Sequence, residues 1–533
     1  MINWENVKWN ESLVSKLHGD IYTYRDIYKG KHAIHFERAQ QLIQKGEITD
    51  RYVKNTAMNV KVRTPYIVLN ISKLVAETPA MLISRSIGKI TSSLANDSEQ
   101  NELINDDTDE LIEGAEEGKS AEVNDVQNEL IRQIEKNSKL QLEHFPNIVQ
   151  HQVDGGLVGV PRADAKGLRI EFKSRDVYYP HEDDLGADLV YNRTFNEKDY
   201  LHVYRERIQG DDLKTSNMLF ELEGEKLTPV SDEEARNMLG IKELSQEYKG
   251  RSRLFIQYWP NGKTFLDPLG VSCLDGHLAH QDEINWRLTR NALVFERNST
   301  PRLAITSEIF SALEDAAVEQ FGEAGRGFID HEMLEVVTMD ENGKSMEVIQ
   351  VDVKNIGGVE WANELIKEML IATRTSQKAI DFYSENNNAS AVSGVAKFYD
   401  LFVSIAKAEQ LQSEYVYFLK QLFESCLWLA NHKDAAVLIE EPDIGLNNMV
   451  PVNQEELIEK YLPAYEAGAM SLETFVRKTN PNASEEWIQS EIERIEMEKQ
   501  TIDSVSILSG PQTAGNLNDN RDLDGNIIEE EEG

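Results

Sequence analysis

The sequence predicts an α+β chain with a mainly helical framework and β-rich insertions. Three observations carry this reading. Apolar residues recur at helical spacing over long stretches, most clearly from about Gly394 to Asn431, where Phe398, Phe402, Ile405, Tyr415, Leu419, Leu422 and Cys426 fall on repeating turns. Between Asp154 and Pro268 that period gives way to short alternating runs separated by glycine turns. The 533 residues are 40% hydrophobic, 8% aromatic and 28% charged, a globular composition in a chain long enough for about two to four domains.

Taken in order, Asn10–Gln44 reads as a helix. Tyr66–Ser84 reads as another, with a break at Pro79 because proline brings no amide donor. Asn101–Asp125 holds ten acids and the single base Lys119, and reads as a solvated insertion that cannot bury enough apolar surface to order itself. Val126–Leu142 is again helical. Within the β-rich stretch, Leu168–Phe172, Leu201–Arg207 and Arg253–Trp259 are expected strands, and Asn261-Gly262 a hairpin turn between Leu254–Trp259 and Thr264–Leu266.

Helical periodicity returns at Gly276–Arg297. Arg302–Val353 is mixed, with a second hairpin around Asn342-Gly343. A helix follows from Val359 to about Phe382, then the polar loop Ser384–Ser393, then the long helix. Two or three shorter acidic helices are expected between Asn453 and Thr501, interrupted at Gly468 and Pro481. The last hundred residues hold 23 acids against six bases, and their end reads as a frayed tail. These signals divide the chain into 1–153, 154–275, 276–297, 298–358, 359–383, 384–393, 394–432, 433–502 and 503–533.

Charge and cysteine content exclude several classes. With 55 Lys+Arg against 93 Asp+Glu, the formal net charge is −38. Such a chain does not simply wrap nucleic acid, since phosphate contacts need clustered cations. No window approaches the roughly 18–20 apolar residues of a membrane span, and the start lacks the apolar core of a signal peptide. The two cysteines, Cys273 and Cys426, form no framework and fit a reducing compartment.

Catalytic signatures are absent. Gly118-Lys119-Ser120, Gly262-Lys263-Thr264 and Gly343-Lys344-Ser345 have the end of a phosphate-binding loop, but Glu113, Gln257 and Thr338 stand where the first glycine is needed for backbone amides to wrap phosphate. His277, His280 and Asp282 share a segment, yet no further metal ligand is indicated, and they read as helix surface. Pro442-Asp443 lacks the downstream acid-x-Lys of a metal-dependent nuclease. Asn520–Glu531 matches a calcium loop at Asp522, Asp524, Gly525, Ile527 and Glu531, but Asn520 replaces the first Asp and no exiting helix follows. No Gly-x-Ser-x-Gly elbow occurs. The expectation is a non-enzyme without cofactor or metal.

The informative unit is helix, insertion, helix, polar loop and long helix, over Gly276–Asn431. On the second helix, Asn363, Lys367, Arg374, Lys378 and Asp381 fall within about 60° of one another at 100° per residue, beside an apolar side that includes Ala362, Ile366, Met369 and Thr373. Such a helix can pack in a bundle and turn a basic stripe toward a polyanion. The loop, with Asn386, Asn387, Asn388 and Ser390, offers amides and hydroxyls with almost no charge, which suits weak, sequence-blind contact with a phosphate backbone.

In this order the elements resemble the portal proteins of tailed bacteriophages, closest to those of phages infecting Gram-positive hosts. The likeness spans most of the chain. It rests on DGGLVGVPRADAKGLRIEFKSRDVYYPHEDD, on the helix–insertion–helix unit, on SAVSGVAKFYDLFVSIAKAEQ opening the long helix, and on AGAMSLETFVRKTNPNASEEWIQSEIERIEMEK near the end.

The resemblance implies a closed homo-oligomeric ring of about twelve subunits at one capsid vertex. Double-stranded DNA would be packaged through its channel by terminase and later ejected, without sequence specificity. By position, 1–153 and 154–275 would form the wing, 276–297 and 359–383 the stem, and 298–358 the clip. Residues 384–393 would be the tunnel loop, 394–432 the long wing helix and 433–502 the crown. Asn363, Lys367, Arg374 and Lys378 would face the channel with Asn386, Asn387, Asn388 and Ser390. Glu341, Asn342 and Lys344 of the clip would meet the large terminase subunit and then the head–tail adaptor. Major capsid and scaffolding proteins would be further partners, and no membrane; the location would be the virion, and the host cytoplasm during assembly. Two other readings compete: a capsid or scaffolding protein without a channel, and an NTP-driven DNA translocase or nuclease.

Overall fold

The computed structural model describes residues 2–49, 64–94, 117–164, 166–298, 302–305, 346–349, 358–378, 394–449, 454–480 and 487–497, with a few single positions besides. The fold is α+β, with helices and several antiparallel sheets. It divides into two units, Met1–Val450 and Pro451–Gly533.

The first unit is built on the long helix, Gly394–Asn431, whose 38 residues span about 57 Å at 1.5 Å per residue. Ala408, Tyr415, Leu419, Leu422, Phe423 and Cys426 are fully buried along it. They share one core with Ala76, Ala80 and Ile83 of the helix Ile71–Ser86, with Ile131 and Ile134 of Glu117–Ser138, and with Ile148 and Val153 of Leu140–Asp154. A three-stranded antiparallel sheet, in the order Gln257–Pro260, Gly156–Asp164, Gly167–Ser174, lies against the same helix. Gly159 makes that approach possible: a Cβ there would stand 2.5 Å from Leu422 Cδ1 and 2.9 Å from Phe418 Cζ.

A six-stranded sheet is a meander of Tyr178–Pro180, Gly186–Phe195, Lys198–Gln209, Asp212–Glu223 and Lys226–Pro229, with Ser245–Tyr248 added beside Asp212–Glu223. The start of the chain covers it. Trp4 is buried edge-on to Tyr179 and donates its indole N–H to Asp188 at 2.7 Å. The buried Asp188 carboxylate also accepts from both Nε and Nη2 of Arg205 and bonds the His181 ring. A buried charge so fully bonded is tolerated where an orphaned one would not be.

Several expected elements differ, each for a local reason. Asn10–Gln44 is not one helix but four: Glu11–His18, Ile21–Tyr28, His32–His35 and Glu37–Gln44. Gly19 and Gly30, with φ of +64° and +83°, end two of them. Conversely, Ile71–Ser86 runs straight through Pro79, because Val75, Ala76, Ala80 and Ile83 are buried on both sides of it and packing outweighs the lost hydrogen bond. The expected Val126–Leu142 helix starts earlier, so residues 117–125 of the acidic stretch are helical. It breaks at Lys139, at φ +53°, and resumes as Leu140–Asp154.

Arg253–Ile256 forms no strand. The amides of Phe255 and Ile256 donate to the buried Glu206 carboxylate at 2.7 and 3.0 Å instead of to a ladder. Asn261-Gly262 makes no hairpin either. Asn261 is held by Gly155, Gln152 and Val271, and the Thr264 hydroxyl accepts from the amides of Leu266 and Asp267 in a tight turn. Met346–Ile349 pairs antiparallel with Arg302–Ile305; the hairpin tip around Asn342-Gly343 lies outside the described residues.

In the second unit, Gln454–Glu466 and Leu472–Thr479 meet through the stacked rings of Tyr465 and Phe475, 4.8 Å apart. The Ser471 hydroxyl caps the latter helix by accepting from the Thr474 amide. Residues 487–497 are also helical. Residues 101–116 of the acidic stretch, the calcium-like Asn520–Glu531 and the tail 503–533 lie outside the described residues.

Candidate DNA-facing site

The two helices expected to form a stem, Leu278–Asn298 and Gly358–Ala372, pack side by side. Ile284 and Leu288 of the first meet Leu365, Ile366, Met369 and Leu370 of the second over Ile71 and Val75. The strands Arg302–Ile305 and Met346–Ile349 pair where the chain leaves one helix and before it enters the other.

A polar ladder fixes the first helix. Gln281, Asn285 and Thr289 recur every four residues on one face. Gln281 Oε1 accepts from Ser72 N, Asn285 Oδ1 from Leu69 N, and Thr289 Oγ from Ile67 N. These three buried side chains satisfy amides that have no sheet partner. Asp282, next to the ladder, takes both Nε and Nη2 of Arg38, while the rings of His277 and His280 stand 6.0 Å apart.

The second helix buries Ala362, Leu365, Met369, Leu370 and the following Thr373, and exposes Asn363, Glu364, Lys367 and Glu368. Lys367 is paired to Glu364 at 2.8 Å. The exposed side of this helix carries Glu360, Glu364 and Glu368 against Lys367 alone, so it is acidic and not basic.

The helix also ends sooner than its period predicts, at Ala372 and not near Phe382. Thr375 N bonds Leu370 O at 2.8 Å and Arg374 N bonds Ile371 O at 3.1 Å, the paired bonds of a Schellman stop. Arg374 occupies the left-handed position of that stop, with φ +53°, where glycine is the usual residue. Asn363 and Lys367 therefore share a helix face, whereas Arg374 and the exposed Lys378 lie beyond the break and do not continue the stripe. Next to the break, Ser376 N bonds Ser404 Oγ at 2.7 Å and Lys407 Nζ donates to Thr373 O at 3.0 Å, tying this corner to the long helix. Asp381, the residues Asn386, Asn387, Asn388 and Ser390 expected in a tunnel loop, and Glu341, Asn342 and Lys344 expected in a clip lie outside the described residues.

The corner borders a cavity of about 690 Å³, lined by Lys263, Arg374 and Lys407 together with Tyr258, Trp259 and Phe418. Burial pulls the Lys407 ammonium below the ordinary lysine value, and the Arg374 charge adds to this against the opposing effect of Cys273. Sequence reasoning missed Lys263 and Lys407. The first lay in an apparent hairpin turn and the second inside a long amphipathic helix, where a lone lysine reads as solvated. At the same turn Phe265 and Leu266 project into solvent, 92% and 74% exposed. Among the described residues no helix is long and apolar enough to cross a membrane. No protein-family model matches the chain, and no curated protein matches it in sequence.

Proposed function

We propose that this chain is a portal-type ring subunit that forms a DNA channel at a capsid vertex. The observation that carries the reading is the packed pair Leu278–Asn298 and Gly358–Ala372, joined through an insertion whose ends pair as strands, and tied at its corner to the 38-residue helix. Apolar side chains left open on these elements, such as Trp361 at 48% and Ile371 at 65% exposure, suit burial against a neighbouring copy.

In a ring, the −38 of each copy makes a strongly negative lumen. DNA then slides without sticking, because few phosphates are neutralised and few counterions released. Asn363, Lys367, Arg374 and Lys378, with the loop residues Asn386, Asn387, Asn388 and Ser390, supply transient contacts. Glu341, Asn342 and Lys344 serve the terminase and adaptor, and the ring sits among capsid and scaffolding proteins.

Negative-stain electron microscopy of the purified chain tests this. Top views are expected to show a ring with an open centre and about twelve-fold symmetry. A compact oligomer with no central hole would overturn the reading.

A further inference from the structure

We propose that the cavity lined by Lys263, Arg374 and Lys407 binds the phosphate group of a small ligand. This goes beyond the channel reading and does not depend on it. In a chain with 93 acids and 55 bases, this wall gathers three cations against one carboxylate, Glu414, which accepts the Trp259 indole N–H at 3.1 Å. Among the described residues, none of the three cations pairs with an acid. Lys407 has three donors and spends one on Thr373 O, leaving two in a half-buried place. The Arg374 charge disfavours the Lys407 ammonium, and an anion at this wall would offset that repulsion.

Arg374 holds the left-handed position of a helix stop that glycine fills without strain. Strained positions of this kind cluster at functional sites. Here the strained residue projects one of the three cations onto the cavity wall.

At about 690 Å³ the cavity exceeds a bare phosphate, and Tyr258, Trp259 and Phe418 offer an apolar side for an attached body. The chemistry is therefore phosphate recognition by a multi-cation wall, with phosphate either free or as the ester of a compact organic group. Lys263 contributes as a point charge and not as part of an amide cradle, since its Gly-Lys-Thr triplet opens a tight turn.

The test is isothermal titration of the full-length chain at low salt with inorganic pyrophosphate, with ADP and with a short DNA duplex. Saturable binding of pyrophosphate or ADP at one per chain is expected, and tighter binding of ADP would place the organic body in the cavity. Arg374→Gly is the decisive variant, because glycine relieves the backbone. It is expected to melt no lower than wild type yet to bind at least tenfold more weakly. Lys263→Ala, in an exposed turn, is expected to weaken binding by a smaller factor. Unchanged affinity in Arg374→Gly overturns the proposal. So does binding of the duplex alone, or no saturable binding of either small probe.

Discussion

Arg25 grips Asp154 through two parallel hydrogen bonds, Nε to Oδ1 and Nη2 to Oδ2, each 2.8 Å long, across 129 residues of sequence. Its Nη2 also reaches Asp176 at 2.9 Å. The grip joins the helix Ile21–Tyr28 to the end of Leu140–Asp154, next to the point where the chain turns into the three-stranded sheet. Asp154 is almost fully buried, so losing its partner strands a charge away from water. Arg25→Ala is expected to cost about 3 kcal/mol, read from urea unfolding of the isolated chain. A loss below about 0.5 kcal/mol would show the pair to be worth no more than a surface contact.

Gly159→Ala tests how closely the sheet seats on the long helix. The new methyl would meet both Leu422 methyls and the Phe418 ring at under 3 Å. Overpacking of this kind costs about 1–3 kcal/mol. A denaturant midpoint equal to wild type would mean that the helix shifts freely, contrary to the packing described.

Buried histidines predict acid sensitivity. Burial, first in each case, pulls His18, His32 and His144 down to about 4 and His151 to about 3. The unfolded chain takes up these protons near the ordinary value of about 6.5, while the folded chain refuses them. Stability contributed by the neutral rings is thus intact above about pH 6.5 and is lost as pH falls toward 4. His151 stacks on Trp259 with centroids 3.4 Å apart, so a flat replacement keeps the contact. His151→Phe should bind about one proton fewer on unfolding at pH 5, measured from the slope of unfolding free energy against pH.

Reversing two lysines tests the channel contacts. In Lys367→Glu with Lys378→Glu, the reversal at Lys367 removes the pair with Glu364 and leaves like charges three residues apart, a cost of only about 0.5 kcal/mol at that position. Folding should survive, while DNA packaged per capsid should fall. Unchanged packaging would remove these residues from the contact set.

In the proposed ring, Phe265 and Leu266, standing in solvent beside the cavity, should matter only between copies. Phe265→Ser with Leu266→Ser is expected to leave the melting temperature of the lone chain unchanged and to shift sedimentation toward smaller species.

The α+β class and the long helix were legible because both depend on period alone. Gly394–Asn431 has the bounds its period predicts, and its stripe is buried from Ile405 to Cys426, whereas Phe402 stands half in solvent. The strand runs around Leu168 and Leu201 were visible for the same reason. What escaped was decided by contacts far away in sequence. Pro79 looks like a break until both flanks are seen to be buried, and Arg253–Ile256 looks like a strand until Glu206 takes its amides. The end of the helix Gly358–Ala372 escaped for a different reason. No glycine or proline marks Ala372, and only the left-handed Arg374 shows where the turn occurs. The cationic cavity was illegible because Lys263, Arg374 and Lys407 lie far apart in the chain, and none belongs to a recurring motif.

The central core is shared between residues 76–170, Trp259 and residues 405–449. Within it, Glu440 closes on Ser92 and Gln127 over 348 and 313 residues. During synthesis the early helices must therefore wait, apolar faces open, until the long helix leaves the ribosome. At translation rates of about 5–20 residues per second, that wait lasts on the order of tens of seconds. A chain stopped before Tyr415 has no lid for its own first half and is expected to aggregate or to be held by a chaperone. Every nascent chain passes through that vulnerable interval.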